Sequence, residues 1–366
     1  MVFNSPEYEA RRARPFVPPK FTLSQIHNAV PKHLLQKNAL LSLGLFGLLP
    51  LPMMPWQAST LQGFLWVSYW WWQGLVFTSF FCIAHELGHE SLFYSQYANN
   101  FFGLILDTFI LVPFFAWKAS HNSHHRTVGS IERDNNYVPP DRKEFTKLPP
   151  KERATTADYA EVLDETPIMS LVRLFIMQGF GWWLYLGVNA MGGRAYPPGT
   201  NHFSPYSALF TERQRRGIII SDIALSVMAS ILIYFGRLYG LKAFLAFYFV
   251  PYVLCNHWIV MCTYLHHSDP TLPHYRQNSW SFLRGAAATV DRPILGWMGR
   301  FFFHNVSHDH VAHHFFSQAP FYNQPQITEA IKAILKEDYN YDTTNSFYAL
   351  YRSFTELALK FDLVSN

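Results

Sequence analysis

Charge is scarce in this chain. Asp, Glu, Lys and Arg make up 15% of its 366 residues, against roughly 25% in an average soluble protein, which argues against an ordinary cytosolic domain. No strong excess of one sign is present either: 29 basic residues face 25 acidic ones, a net +4. No basic stripe is interleaved with aromatic residues, so nucleic acid is set aside as a partner. Cysteine is nearly absent. Cys82, Cys255 and Cys262 all lie in apolar blocks without CxxC spacing, which excludes a disulfide framework and a cysteine metal site and leaves inert core thiols. The first 38 residues lack the apolar run of a signal peptide and carry Arg11, Arg12, Arg14, Lys20, Lys32 and Lys37.

What is abundant is apolar residue, 49% hydrophobic and 17% aromatic, gathered into long blocks. Length alone would allow two or three soluble domains of about 150 residues, but one membrane-embedded domain is the simpler reading. Uncharged blocks at Ala39 to Trp56 and Leu61 to Ala84 are near or above the roughly 20 residues of a spanning helix. Pro50, Pro52 and Pro55 mark the turn between them. Basic residues favour the cytoplasmic side, so the N-terminus is expected in the cytosol, with the second helix returning there just before His85.

Parity then decides the remaining blocks. Phe101 to Trp117 is short and contains Asp107; if it crossed, the histidine clusters on either side of it could not share a site, so it is read as interfacial. The stretch from Lys118 to Arg153, with eight Lys or Arg, fits a cytosolic face. Leu171 to Met191 holds Arg173, Gln178 and three glycines and is read as interfacial or partly inserted. Ile218 to Gly236 and Ala243 to Leu265 form a second hairpin. The expected fold is an all-α membrane protein with about four transmembrane helices and a cytosolic helical cap. Its parts are an N-terminal arm (1–38), a first membrane hairpin (39–84), a cluster-bearing segment (85–153), a second hairpin (218–265) and a C-terminal cap (266–366) with amphipathic helices between Gln326 and Leu363.

Histidine is the anomaly. There are 17, and eight fall in three five-residue clusters. His85-Glu86-Leu87-Gly88-His89 places two imidazoles four residues apart, on one helical face. Alone it admits chance surface histidines or the zinc-protease HExxH helix, with Glu86 as general base. His121-Asn122-Ser123-His124-His125 and His310-Val311-Ala312-His313-His314 both read HxxHH, projecting i, i+3 and i+4 from one face. Eight histidines are too many for one zinc, which takes three protein ligands and an open position when catalytic, but suit two ions. Imidazole serves iron, copper, zinc or nickel, and with all the clusters at the cytosolic face beside a membrane pocket, two irons activating dioxygen is the most economical assignment.

These boxes, their order and their spacing resemble those of the membrane fatty-acyl desaturases, and the flanking text is similar to the oleate Δ12 branch. The matching stretches are Ala116-Trp117-Lys118 and Gly129-Ser130-Ile131-Glu132-Arg133-Asp134 around box two, Thr263-Tyr264-Leu265-His266-His267 through Pro270, Leu272-Pro273-His274-Tyr275, Leu283-Arg284-Gly285, Ala288-Thr289-Val290-Asp291-Arg292, and Phe303-His304-Asn305 before box three. Phe21-Thr22-Leu23 and Ala29-Val30-Pro31 fit the same branch. The resemblance covers nearly the whole chain.

It implies a di-iron centre held almost wholly by histidine, dehydrogenation of a long acyl chain by dioxygen, residence in the endoplasmic reticulum membrane, and electrons from NADH through cytochrome b5 reductase and cytochrome b5. The implied ligands are His85, His89, His121, His124, His125, His310, His313 and His314, with His267 added after the last membrane helix. For His267 the bland reading is an interfacial helix cap. His304 matches a family histidine that would ligate or support. No catalytic residue beyond the metal centre and no organic-cofactor site is expected. The same oxidant can hydroxylate, or convert a double bond to an alkyne, if positioning changes.

Among carboxylates near the boxes, Glu86, Glu90, Asp134 and Asp309 could accept imidazole N–H groups and so fix tautomer, with Asp309 the first choice. His27, His33 and His202 lie in polar stretches and read as solvated; His257, inside a membrane block, lines a pocket or sits satisfied in the core. Trp70, Trp71 and Trp72 read as packing or interface residues. Leu87 stands where the Δ12 branch usually has cysteine, Asp269 where it often has histidine, His308 is extra, and the N-terminal arm is short. These departures leave the boxes intact but open the way to a specialised desaturase or acetylenase. The rivals from other classes are an intramembrane zinc protease using HELGH, which leaves both HxxHH boxes unexplained, and a metal transporter, which needs ligands along a membrane path.

Overall fold

The computed structural model describes residues 4–44, 60–136, 167–193 and 195–356. Among them the ordered elements are helices, with only isolated bridges such as Ser130 to Tyr275. In chain order the helices are α1 (Pro6–Ala13), α2 (Leu23–Ala29), α3 (Ala39–Gly44), α4 (Thr60–Gly88), α5 (Gln96–Phe109), α6 (Phe114–Thr127), α7 (Pro167–Val188), α8 (Arg215–Tyr239), α9 (Leu241–His267), α10 (Phe282–Ala287), α11 (Trp297–Phe302), α12 (His310–Phe315), α13 (Gln324–Leu335) and α14 (Ser346–Glu356). Most of the first expected span, its proline turn, residues 137–153 of the basic stretch and the last part of the C-terminal amphipathic stretch lie outside the described residues.

Among the described residues, α7, α8 and α9 are long and apolar enough to cross a membrane. Helix α4 contains the expected span Leu61 to Ala84. Its 29 residues reach about 43 Å, but Trp66, Trp70 to Trp72, Tyr69 and two glutamines dilute its apolarity. The block Phe101 to Trp117 divides into α5 and α6, bent by 109°. At the break Leu111 takes a positive φ of 55°, a conformation that stops helix propagation. The region Leu171 to Met191, read as interfacial or partly inserted, lies up to Val188 in one uninterrupted 22-residue helix, α7, which is long and apolar enough to cross a membrane. Its interior glycines do not break it because α9 packs along its length, and tertiary contact outweighs propensity.

Helix α4 runs through the centre, against α5 on one side and α9 on the other. At Gly74 the two backbones approach so closely that a Cβ would lie 2.7 Å from Leu254 Cβ. The main apolar core is built from α4, α7 and α9, with Phe77, Phe81, Trp182, Trp258 and Ile259 at its middle. Large apolar side chains on the outer faces of α7 and α8, among them Phe175, Ile223, Val227 and Ile231, stay exposed, the arrangement of a lipid-facing surface. Trp71 packs edge-on to Trp258 and Trp72 lies against Phe302, while Trp70 donates its indole N–H to the Ala246 carbonyl at 2.9 Å.

The helices beyond α9 form a cap with its own core. Val311, Ala312 and Phe315 of α12 face Ile26, Ala286, Ile327 and Ile331 from α2, α10 and α13. A buried ion-pair network closes the cap: Arg292 bridges Asp269 and Asp342, Arg352 reaches Asp342 at 2.8 Å, and Arg11 reaches Asp269 at 3.4 Å. The departure at Asp269 is thereby explained, since a carboxylate there answers the buried Arg292 and Arg352 and the half-buried Arg11.

Candidate metal centre

Three helix ends meet at the base of the cap. His85 occupies the last turn of α4, and His89 follows it, its amide donating to the His85 carbonyl. Box two fills the C-terminal half of α6. Box three is α12, whose alternate face is held by the cap core. Apolar residues therefore pin one side of α12 and turn His310, His313 and His314 the other way.

The ring nitrogens gather into two adjoining groups. One ligand atom from each of His85, His89, His121, His125 and His313 falls within 4.8 Å of all the others in the first; His124, His267 and His314 form the second by the same measure. His310 adjoins the second, with Nε2 3.0 Å from His267 Nε2 and 3.1 Å from His314 Nε2. The rings of His125 and His314 stack at 4.2 Å, joining the groups. All nine histidines singled out from the sequence as ligands are brought together.

Their chemistry fits a metal better than it fits a self-contained polar core. Nε2 of His89, of His124 and of His313 is buried without a hydrogen-bond partner, whereas buried polar atoms are ordinarily paired. Burial, reinforced by neighbouring histidines, holds His89, His310, His313 and His314 well below the usual imidazole range. They are neutral at physiological pH, with lone pairs available. Several rings are also aimed from behind: Asp134 Oδ1 lies 2.6 Å from His124 Nδ1, Glu86 Oε1 lies 3.1 Å from His85 Nδ1, and the Val306 carbonyl lies 3.2 Å from His310 Nδ1. Such contacts fix tautomer and ring orientation.

Other expected supports go elsewhere. Asp309 faces Arg300 at 3.1 Å rather than an imidazole, because residues 303–308 turn back and bring the two together. Glu90 is taken by Lys118 at 3.0 Å. His304 Nε2 contacts Ser79 Oγ at 2.6 Å and its ring packs on Phe321, outside both groups. His202, expected to be solvated, is fully buried: its ring packs on Tyr185 at 4.5 Å, with Nε2 3.2 Å from Ser120 Oγ. Burial lowers its pKa to about 4. His27 and His33 are exposed, as expected. His266, not singled out, stacks on His310 at 4.1 Å; its only signal is adjacency to His267.

A mostly apolar cavity opens beside the histidines between α4, α7 and α9. Phe81, Met177, Trp182, Ile259 and Val260 line it, and His85, His121, His124, His267 and His310 form its floor. Trp70, Trp71 and Trp72 are not on its wall. All three cysteines are free thiols; Cys82 and Cys255 are buried and Cys262 is half-buried.

The fatty acid desaturase family matches residues 64–345. A Δ12 fatty acid desaturase of Mortierella alpina is 37% identical over 353 residues, covering 92% of this chain and 88% of its own. An oleate hydroxylase of Claviceps purpurea is 36% identical, covering 90% of this chain and 74% of its own, and an oleoyl-12-hydroxylase of Ricinus communis is 34% identical, covering 93% and 87%. With a family match over most of its length and these relatives, the chain, an all-helical membrane protein and an acyl desaturase, belongs to the fatty acid desaturase family in its Δ12 branch.

Proposed function

We propose that the chain is a dioxygen-dependent di-iron desaturase that introduces a double bond into a long acyl chain, Δ12-type or a specialised relative. The observation that carries this is the meeting of a five-histidine and a three-histidine group in one buried site. In the proposed assignment His85, His89, His121, His125 and His313 hold one ion, and His124, His267, His310 and His314 the other. Iron suits an all-imidazole set that copper, zinc or nickel could also occupy, because removing hydrogen from a methylene with no acidic proton needs an oxidant rather than a base. Two irons with dioxygen would supply that oxidising power.

The chain's own residues do the positioning. The cavity walls would hold the acyl chain, each buried methylene contributing about 0.8 kcal/mol, and the cavity's course past the histidine floor would select the carbons oxidised. Asp134, Glu86 and the Val306 carbonyl would keep the ring N–H groups turned away from the ions. The cap, packed through Val311, Phe315 and their partners, would shut water from the side of the histidines away from the cavity. Electrons would come from NADH through cytochrome b5 reductase and cytochrome b5, with the enzyme in the endoplasmic reticulum membrane and its boxes and both ends in the cytosol. In support of that orientation, the boxes and the cap lie together at one end of α4 and α9.

Hydroxylation is the second reading, favoured by the two hydroxylases among the relatives. The zinc-protease reading is not favoured: Glu86, its required base, is fully buried and tied to Ser91 and His85. Metal analysis of detergent-purified protein tests the assignment. Close to two irons per chain, lost in His313→Ala, is the expected result. One zinc, retained in His313→Ala but lost in His85→Ala, would overturn it.

A further inference from the structure

Desaturation by dioxygen leaves a debt of electrons. Written in balance, R–CH2–CH2–R′ + O2 + 2e⁻ + 2H⁺ gives R–CH=CH–R′ + 2H2O; the acyl chain supplies two of the four electrons that dioxygen takes, and two must enter from outside. Resting on the desaturase reading above, we infer that an acidic one-electron donor protein docks on the surface around Arg133 and Trp280, and that its electrons enter along a bonded path from Trp280 to His124.

The path is continuous atom by atom. The half-buried Trp280 donates its Nε1–H to the Val128 carbonyl at 2.9 Å. That carbonyl is covalently joined to the Gly129 amide, which donates to Asp134 Oδ2 at 2.9 Å, and Asp134 Oδ1 lies 2.6 Å from His124 Nδ1. His124 presents its unpartnered Nε2 to the second histidine group. Electron tunnelling falls off far more steeply across gaps than through bonds and hydrogen bonds, so an unbroken chain of this kind favours transfer. Gly285 lets α10 press against the path: a Cβ there would fall 2.0 Å from the Val128 oxygen.

The surface at its outer end is basic and aromatic. The exposed Arg133 guanidinium lies over the Trp280 ring at 4.3 Å. Arg276, half exposed, stands 3.9 Å from Glu132, and Arg284 lies over Tyr275 at 5.9 Å. Tyr275 is tied to the same strip through Gly129 and Ile131. Among the described residues, Arg133, Arg276 and Arg284 outnumber Glu132 on this strip, which favours an acidic partner, and complementary charge raises encounter rates in a salt-dependent way.

The test uses the full-length, iron-loaded protein in detergent and the soluble haem domain of cytochrome b5 as probe. The Kd is measured at low and high salt, and reduction of the metal centre by stopped flow at saturating donor. Reversing charge in Arg133→Glu with Arg276→Glu is expected to weaken the Kd at least tenfold at low salt and flatten its salt dependence. Trp280→Phe keeps the ring but removes Nε1–H, and is expected to slow reduction several-fold with Kd within twofold of wild type. Iron content and reduction by dithionite, measured beside these, show that each variant retains its centre. An unchanged Kd and salt slope in the double variant overturns the docking surface, and an unchanged rate in Trp280→Phe overturns the path. A wild-type protein that binds no iron instead overturns the desaturase reading itself.

Discussion

Asp134 holds His124 with one carboxylate oxygen and the backbone with both: Oδ1 lies 2.6 Å from His124 Nδ1 and takes the Asn136 amide at 3.0 Å, while Oδ2 takes the Gly129 amide at 2.9 Å. The loop after box two is thus folded around a group that also orients a box-two ring. Asp134→Asn removes the charge and sets an NH2 donor against other donors. Metal affinity is expected to fall about tenfold to a hundredfold, read by metal retention under chelator competition. Asp309→Asn, whose parent carboxylate pairs with Arg300, should retain its metal.

The buried arginine and aspartate network makes a prediction about pH. Burial alone would raise the Asp342 pKa, but Arg292 and the hydroxyls of Thr344 and Ser5 outweigh it and hold the carboxyl well below the usual range. An acid with a depressed folded pKa stabilises the fold above its unfolded value, near pH 4, and that contribution is lost as pH falls through the folded value. Thermal melts of the wild type are therefore expected to move down as pH drops from about 5 to 3. Asp342→Asn should already be destabilised at pH 7, by about 3 to 5 kcal/mol, because Arg292 and Arg352 would lose a buried counter-charge. Its melting temperature should also depend less on acid. Parallel curves for the two proteins would refute the assignment.

The cavity makes a prediction about chain length. Gly181 on α7 lines it, and a Cβ there would make ordinary contact with Val260 at 3.6 Å. Gly181→Leu carries bulk past that contact into the cavity. Overpacking of about 1 to 3 kcal/mol should lower kcat/KM for an 18-carbon substrate roughly fivefold to 150-fold, with iron content unchanged and shorter acyl chains less affected. Product analysis with substrates of graded length checks this. An equal loss for every length would point away from the cavity as the acyl site.

Periodicity was enough to read the box histidines, because i, i+3 and i+4 spacing states which rings share a face whatever the tertiary fold. It was not enough for His202. A lone histidine in a polar stretch carries no spacing, and its burial depends on Tyr185 and Ser120, which come from α7 and α6. Asp309 was misjudged for a related reason: proximity in sequence to His310 suggested a contact, yet the backbone turn before α12 gives it to Arg300. In α7, the glycines and one arginine suggested an interfacial or partly inserted segment, whereas its length and apolarity suit a span and its packing partner, α9, lies far along the chain. Val311, Ala312 and Phe315, on the other face of box three, pack into the cap core and so aim α12.

The ion pairs that close the cap also impose a schedule. The Arg11 side chain bonds the backbone carbonyl of Tyr341, 330 residues later. At translation speeds of about 5 to 20 residues per second, the first helix waits roughly 17 to 66 s for that partner to be made. Throughout that interval Arg11 has neither the Tyr341 carbonyl nor Asp342, and box three arrives only near its end. The enzyme's birth is thus ordered by its own wiring, with the bilayer helices made before the segment that seals the histidine site.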